Sequence, residues 1–193
     1  MRLAEVSARI SGSYEKSIQF LNEYKIRGCT VNPDGVIHKQ GEVDIIYFRG
    51  ETLPVQFGRV SGNFVANRSN LTSMIGFPRE VGGNVYVEYV SSLSSIEGIP
   101  LMIGLDLLCK QANFKSLAGI DKMVKQIGRG VDFYQKPTPT HILGLLLISN
   151  LSYINIDEGG PIDNIMSKYI GTGDIISAQD ELIEAGFKEQ AKL

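Results

Sequence analysis

The two histidines are the residues in this sequence best suited to acid–base or metal chemistry, because imidazole titrates near neutral pH and binds zinc. They are His38 and His141, and they stand far apart in the chain. Neither has a histidine, cysteine or carboxylate partner at the spacings that metal sites use. We therefore interpret His38 as part of an early strand or turn, and His141 as a residue near the start of a helix.

Three short motifs could hold a phosphate or a cation. "VGGN" at 81–84 and "IGRG" at 127–130 contain glycines, but neither matches G-x-x-x-x-G-K-[ST] or G-x-G-x-x-G. "NIDEGG", from Asn155 to Gly160, could bind a cation weakly, although an exposed acidic turn is the simpler interpretation. The sequence has no G-x-S-x-G elbow and no recognisable Ser/His/Asp constellation. It therefore predicts no catalytic residue, no cofactor and no metal site.

Composition and charge narrow the classes of partner. The 193 residues are 43% hydrophobic and 21% charged, with a formal net charge of −2, as in an ordinary globular chain. Lysine and arginine are scattered and form no basic block, so we expect no nucleic-acid partner. The longest apolar run, Ile142 to Ile148, is far shorter than the roughly 20 residues of a membrane helix, so we expect no membrane partner.

The cysteines and the N-terminal residues give an indication of the cellular compartment. Cys29 and Cys109 are the only cysteines, and neither lies in a C-x-x-C motif. Such sparse use of cysteine favours a reducing compartment and buried free thiols. The first residues, "MRLAEVSARISGS", lack the apolar core of a signal peptide. The sequence therefore predicts a cytoplasmic protein.

The elements that would position any functional residue follow a repeat. Five segments, "KQGEVDI", "VSGNFVA", "VGGNVYV", "IGLDLLC" and "IGRGVDF", start 21 to 24 residues apart. Their fifth and seventh positions are apolar, which is the alternation of a strand with one buried face. These positions hold Val43 and Ile45, Phe64 and Ala66, Val85 and Val87, Leu107 and Cys109, and Val131 and Phe133. In the middle copies a second apolar pair and a glycine follow, at Gly76, Gly98 or Gly119.

A unit of about 21 residues cannot bury its apolar face alone, so the copies must stack. The sequence predicts an α/β repeat: a short right-handed solenoid of about five coils over residues 31–136, with one parallel β-sheet. An ordinary α/β fold is the alternative, but helices of ten or more residues do not fit between these strands.

Helical caps are predicted at both ends, because an uncovered end coil would expose apolar surface and a strand edge. In residues 1–30, "SYEKSIQFLNEYKI" has helical apolar spacing, with Ser13 as a candidate cap, and "NPDG" follows as a turn. Residues 137–193 are predicted to form a helical cap with three segments. They are "TPTHILGLLLISNL", "PIDNIMSKYI" and a last helix with Ile175, Ile176, Ala178, Leu182 and Ile183 inward and Gly186 as its stop.

The repeat resembles the short leucine-rich-repeat-like arrays of bacteriophage-encoded proteins. "LTSMIGFPREVGGNV" and "LSSIEGIPLMIGLDL" follow the pattern of those units, and the tail "ELIEAGF" is similar to theirs. The resemblance covers about half of the chain and implies a phage-encoded solenoid without a defined activity. Leucine-rich repeats carry an asparagine between coils where this chain has Ser69, Val90 or Ser91, and Ala112. We therefore expect strand pairing and packing alone to tie the coils.

With no visible active site, function is expected on the surface. If the fifth and seventh strand positions point inward, Val65, Tyr86 and Leu108 form an apolar patch on the outer face of the sheet. The polar residues expected to orient a partner around this patch are Asn63, Asn84, Glu88 and Lys110. The alternative is that the C-terminal cap or a second copy of the chain, in a homo-oligomer, covers the patch.

The predicted function is therefore that of a non-enzymatic phage protein that binds a host or phage protein in the host cytoplasm. Two alternatives stay open. The chain could be a structural or accessory component of the virion, or an enzyme with an unrecognised site in its C-terminal region.

Overall fold

The structure is a computed structural model that describes the backbone of residues 3–193 and the side chains of residues 12–193. It opens with helix α1, Leu3–Glu23, which starts well before the Ser13 cap that the sequence suggested. A β-solenoid of about five coils follows, and further helices close its other end. Two expected features, the repeat architecture and the flanking helices, are confirmed. None of the helices in the described part of the chain is both long and apolar enough to cross a bilayer.

Each coil contributes one short strand to each of two sheets, not to the single sheet that was predicted. After the opening strand β1, Cys29–Val31, the strands alternate between a first sheet and a second sheet. The first sheet contains β1 at its edge, followed by β2 (Ile37–Lys39), β4 (Phe57–Val60), β6 (Glu80–Val81), β8 (Met102–Ile103) and β10 (Gln126–Ile127). The second sheet contains β3 (Val43–Asp44), β5 (Phe64–Val65), β7 (Val85–Tyr86), β9 (Asp106–Leu108), β11 (Gly130–Asp132) and β12 (Tyr153–Asn155).

Neighbouring coils pair in parallel in both sheets, and among the strands of residues 3–193 only β1 pairs antiparallel, with β2. The "NPDG" turn joins β1 to β2, with Gly35 N–H donating to the carbonyl of Asn32. Between residues 60 and 135 the chain forms neither antiparallel hairpins nor long helices. The alternative of an ordinary α/β fold is therefore wrong.

A column of glycines forms the corner between the two sheets. A Cβ atom built on Gly82 would lie 2.3 Å from the carbonyl oxygen of Ser61, one coil earlier. On Gly104 it would lie 2.1 Å from the oxygen of Gly82, and on Gly128 2.0 Å from that of Gly104. Successive coils thus approach more closely at this corner than any side chain permits. Gly82 of "VGGN" and Gly128 of "IGRG" have this structural role.

The predicted inward positions of the second sheet all lie in the core. All ten side chains of the five fifth-and-seventh pairs, from Val43 to Phe133, are at most 1% exposed. Phenylalanine rings stack through the interior, with centroids 5.4 Å apart for Phe57 and Phe64 and 4.8 Å for Phe64 and Phe77. The expected strand register of the second sheet is therefore confirmed.

The third side of each coil is a set of turns without strands. Its apolar pairs, such as Leu71 with Met74, are buried as expected. Gly76, Gly98 and Gly119 have φ angles of 91°, 83° and 77°, a conformation that side chains strongly disfavour. These glycines turn the chain back toward the first sheet of the next coil.

The two ends are closed differently. Helix α1 packs Phe20 and Leu21 against the first coil, and the hydroxyl of Ser17 donates to the carbonyl of Gly35 at 2.6 Å. At the other end, parallel pairing continues past residue 136, because β12 adds a strand to the second sheet. The rest of this end comprises helix α2 (Ile120–Met123), a 3₁₀ helix (Leu143–Leu147), helix α3 (Pro161–Tyr169) and helix α4 (Ile175–Glu184).

The predicted C-terminal helices exist, but the inner face of the last one differs. Ala178 and Leu182 of α4 are buried, whereas Ile176 is 74% exposed and Ile183 40% exposed. Asp174 caps this helix by accepting from the N–H of Ser177. The short helix expected within "TPTHILGLLLISNL" is present as a 3₁₀ helix.

Candidate partner-binding surface

Val65, Tyr86 and Leu108 lie side by side on the outer face of the second sheet. They are in register on adjacent strands, because Val65 pairs with Tyr86 and Tyr86 with Leu108. All three are partly exposed, while the residues on either side of each point into the core. In this structure of a single chain, the C-terminal helices leave these side chains partly exposed.

Asn63 and Asn84 bond successive coils to one another. The Oδ1 atom of Asn63 accepts from the backbone N–H of Asn84 at 2.9 Å, and that of Asn84 from the N–H of Asp106 at 3.1 Å. Asn67 likewise accepts from the N–H of Glu88 at 2.8 Å. An asparagine ladder therefore exists at positions other than those where leucine-rich repeats have it, and the expectation that packing and strand pairing alone tie the coils is wrong.

The amide nitrogens of the same two residues are also engaged within the chain. Asn63 Nδ2 donates to Glu42 at 2.8 Å, and Asn84 Nδ2 donates to the Tyr86 hydroxyl at 3.0 Å. Their predicted role in orienting a partner stays a prediction, but their hydrogen bonds already hold the strand and the Tyr86 ring in place.

A buried carboxylate continues the polar column that Asn63 and Asn84 form on successive coils. Asp106 is 2% exposed although it lies on the outer face, because Arg129 covers it. The Nε atom of Arg129 donates to both carboxylate oxygens, at 2.8 and 2.9 Å, and a terminal nitrogen donates to Oδ2. The ring of Tyr153 packs over Gly130, where a Cβ atom would meet it at 2.2 Å. Burial, the charge of Asp106 and hydrogen bonding to that carboxylate raise the pKa of Tyr153 to about 12.

Glu88 and Lys110 lie beside the apolar patch but do not form an ion pair with each other. The ammonium group of Lys110 is 3.6 Å from Glu158 and 5.1 Å from the centroid of the Tyr134 ring. Partial burial is the main cause of the raised pKa of Glu88, and the nearby charge of Asp132 raises this pKa further. The charge of Lys110 offsets part of the increase. Among residues 12–193, Glu88 forms no ion pair.

A row of large side chains borders the second sheet, and sequence reasoning missed it. Tyr47, Arg68, Tyr89 and Gln111 occupy equivalent positions in successive coils, all with φ between 53° and 63°. Tyr47 is 62% exposed and Tyr89 48% exposed. Arg68 lies between them, donating to the Tyr47 hydroxyl at 3.2 Å and lying 5.7 Å from the centroid of the Tyr89 ring. We call these four residues the corner row.

The backbone of the corner row is unfavourable for its residue types. A left-handed conformation costs a residue with a Cβ atom about 1 kcal/mol or more, and glycine avoids this cost. The same chain uses glycine at positive φ in the turns at Gly76, Gly98 and Gly119. Tyrosine and arginine in the corner row therefore do not result from a backbone preference. No local sequence pattern marks these positions, because glycine is the usual signal for positive φ.

Both histidines have structural surroundings. Nδ1 of His38 accepts from the N–H of Arg59 at 3.2 Å, and its ring covers Gly58, where a Cβ atom would lie 2.4 Å from it. Nδ1 of His141 lies 2.9 Å from the Thr140 hydroxyl and 3.1 Å from that of Ser116. Among the residues described, no three His, Cys, Asp or Glu side chains form a group that could hold a metal ion.

The acidic turn "NIDEGG" is held by hydrogen bonds within the chain. Asp157 caps α3, accepting from the N–H groups of Ile162 at 2.9 Å and Asp163 at 3.0 Å. Asp163 in return accepts from the N–H groups of Ile156 at 2.6 Å and Gly159 at 2.7 Å. The carboxylates of Asp157 and Asp163 both stabilise the turn, which agrees with its interpretation as a structural element.

The cysteines have no disulfide partner. Cys109 is fully buried in the core, and burial raises the pKa of its thiol well above the ordinary value. Cys29 is half-buried in β1.

No family model, no curated protein and no solved structure matches this chain.

Proposed function

We propose that this chain is a non-enzymatic protein-binding scaffold and that its partner binds the outer face of the second sheet. The observation that carries the proposal is the in-register patch of Val65, Tyr86 and Leu108, partly exposed on three adjacent strands. Apolar patches bordered by polar groups commonly mark contact surfaces, and tyrosine and arginine are enriched where contacts contribute most.

The corner row adds support next to this patch. It contributes Arg68, which contacts Tyr47 on one side and the Tyr89 ring on the other. Side chains that contact each other along a rigid sheet lose little freedom when a partner binds, so less of the binding free energy is spent on ordering them. The strain of the left-handed backbone at these positions is consistent with a role outside folding.

The proposal extends to origin and place of action. The resemblance of the repeats to phage arrays supports a phage-encoded, leucine-rich-repeat-like, right-handed solenoid that acts on a host or phage protein in the host cytoplasm. The resemblance is also compatible with a component of the virion. Mass spectrometry of purified virions separates the two roles, because a structural component is present there in stoichiometric amounts.

Recovery of partners from infected cells tests the binding surface. We expect wild-type protein to recover a partner that Tyr86→Ala and Leu108→Glu lose, because an anchor residue contributes roughly 1 to 3 kcal/mol to binding. Met102→Glu is the matched control, because Met102 is 40% exposed on the first sheet of the same coil as Leu108. Circular dichroism of each variant establishes that it is folded. Equal recovery by folded Tyr86→Ala, Leu108→Glu and wild type would place the binding surface elsewhere.

A further inference from the structure

The apolar patch has an aspartate at each end of the same column of side chains. Asp44 pairs in register with Val65 at one end, and Asp132 with Leu108 at the other. Adjacent strands lie about 4.8 Å apart, so four strand spacings separate the two aspartates by roughly 19 Å along the solenoid. From Asp44 to Asp132, the column therefore consists of one acidic, three apolar and one acidic side chain.

Within the described part of the chain, no cation forms an ion pair with either aspartate. One carboxylate oxygen of Asp44 accepts from the N–H of Ile46 at 2.9 Å, and one of Asp132 from the N–H of Tyr134 at 2.9 Å. The ion pairs among residues 12–193 include neither of them, and they do not include Glu88.

The cations on this face are engaged with other groups. Arg129 is bound to the buried Asp106, Lys110 lies against Glu158 and Tyr134, and Arg68 lies between the tyrosines of the corner row. The face therefore has an excess of negative charge at both ends of its apolar centre, with Glu88 beside the centre.

From this charge pattern we infer that the partner contributes a polypeptide segment with an apolar centre flanked at both ends by lysine or arginine. The inference rests on the proposed function and specifies the chemistry of the partner. Apolar side chains of the segment would cover Val65, Tyr86 and Leu108, while its basic groups would reach Asp44 and Asp132. Complementary charge at the edges of a contact surface raises the association rate and fixes the register of the two partners.

A random-peptide display library selected on the immobilised full-length protein tests the inference. We expect the enriched peptides to contain aromatic or aliphatic residues between basic ones. A synthetic copy of one enriched peptide is then titrated against purified protein by fluorescence anisotropy. Asp44→Asn/Asp132→Asn should bind it at least about threefold more weakly, because these substitutions keep the side-chain shape and remove two charges. The difference should shrink at high salt, where exposed charges are screened.

Control variants separate this inference from the proposed function. Glu97→Gln removes an exposed carboxylate on the turn side of the solenoid and should leave peptide affinity unchanged. If the peptides show no excess of basic residues, or if the double Asn variant binds as tightly as wild type, the inference about charge is wrong. In that case, loss of binding in Tyr86→Ala still supports the binding face itself. If Tyr86→Ala also binds normally, both proposals fail. A dimer in light scattering that Leu108→Glu dissociates would show that a second copy occupies the face, and would also overturn the inference.

Discussion

Asp106 shows how the outer face of a sheet can hold a buried charge. Its carboxylate is desolvated on a surface where its counterparts in other coils are Glu42, Asn63 and Asn84, and Arg129 and Tyr153 enclose it. A buried charge persists only with partners that satisfy it. The polar column from Glu42 to Tyr153 is therefore part of the scaffold, and it leaves the apolar column beside it available for contacts.

The titration of Tyr153 tests this arrangement. The pKa of its hydroxyl is raised from the ordinary value of 10.0 to about 12, so the folded chain holds this proton more tightly than the unfolded chain. Its contribution to stability is present below pH 10 and is lost as the pH rises toward 12. Phenolate absorbance of wild type minus Tyr153→Phe should show this late titration.

Asp106→Asn should move the same titration to lower pH. The substitution removes the negative charge that, second only to burial, raises the pKa of Tyr153. A Tyr153 titration near pH 10 in the folded wild-type protein would contradict the geometry of this cluster.

At the scale of elements, the corner between the two sheets depends on glycine. A Cβ atom on Gly104 would lie 2.1 Å from a backbone oxygen of the previous coil, and a backbone atom cannot rotate out of the way. Gly104→Ala should therefore lower the free energy of unfolding by roughly 1 to 3 kcal/mol, as overpacking commonly does. The measurement is a urea denaturation curve of each protein.

Gly12→Ala is the matched control for this substitution. Gly12 lies within α1, and a Cβ atom there meets no atom within 4 Å. The same chemical change should stabilise the protein by up to about 1 kcal/mol, because alanine favours the helix. If both variants lose stability equally, the close approach of coils at Gly104 does not explain the corner.

The second sheet was predictable because each of its strands, with the residue that follows it, buries two side chains at alternate positions, such as Val85 and Val87. Most strands of the first sheet bury one residue each, such as Val81 or Ile103, so no alternation marks them. A single apolar residue after a turn shows no repeated spacing from which a strand could be predicted. The repeat could therefore be predicted from the sequence, but the first-sheet strand of each coil could not.

The patch of Val65, Tyr86 and Leu108 followed directly from the predicted register. The corner row did not, because its φ angles come from the way the whole coil closes and no glycine marks them. The exposed Ile176 and Ile183 on α4 likewise depend on how the helix docks, which helical spacing alone does not determine.

At the scale of the whole molecule, each coil contacts mainly its neighbours and holds equivalent residues in columns along one axis. Backbone pairing in two sheets, the asparagine ladder and the stacked phenylalanines fix the spacing of those columns. A surface of this kind presents several side chains at a constant interval on a rigid support. We therefore propose that function lies on the outer face of the second sheet.

Site-specific photocrosslinking tests that claim most directly. A photoreactive phenylalanine analogue is placed at Tyr86 in one variant and at Met102, on the first sheet of the same solenoid, in another. Each is expressed in infected cells and irradiated. We predict a discrete crosslinked partner from position 86 and none from position 102. A discrete product from position 102 with none from position 86 would show that the second sheet is not the binding face.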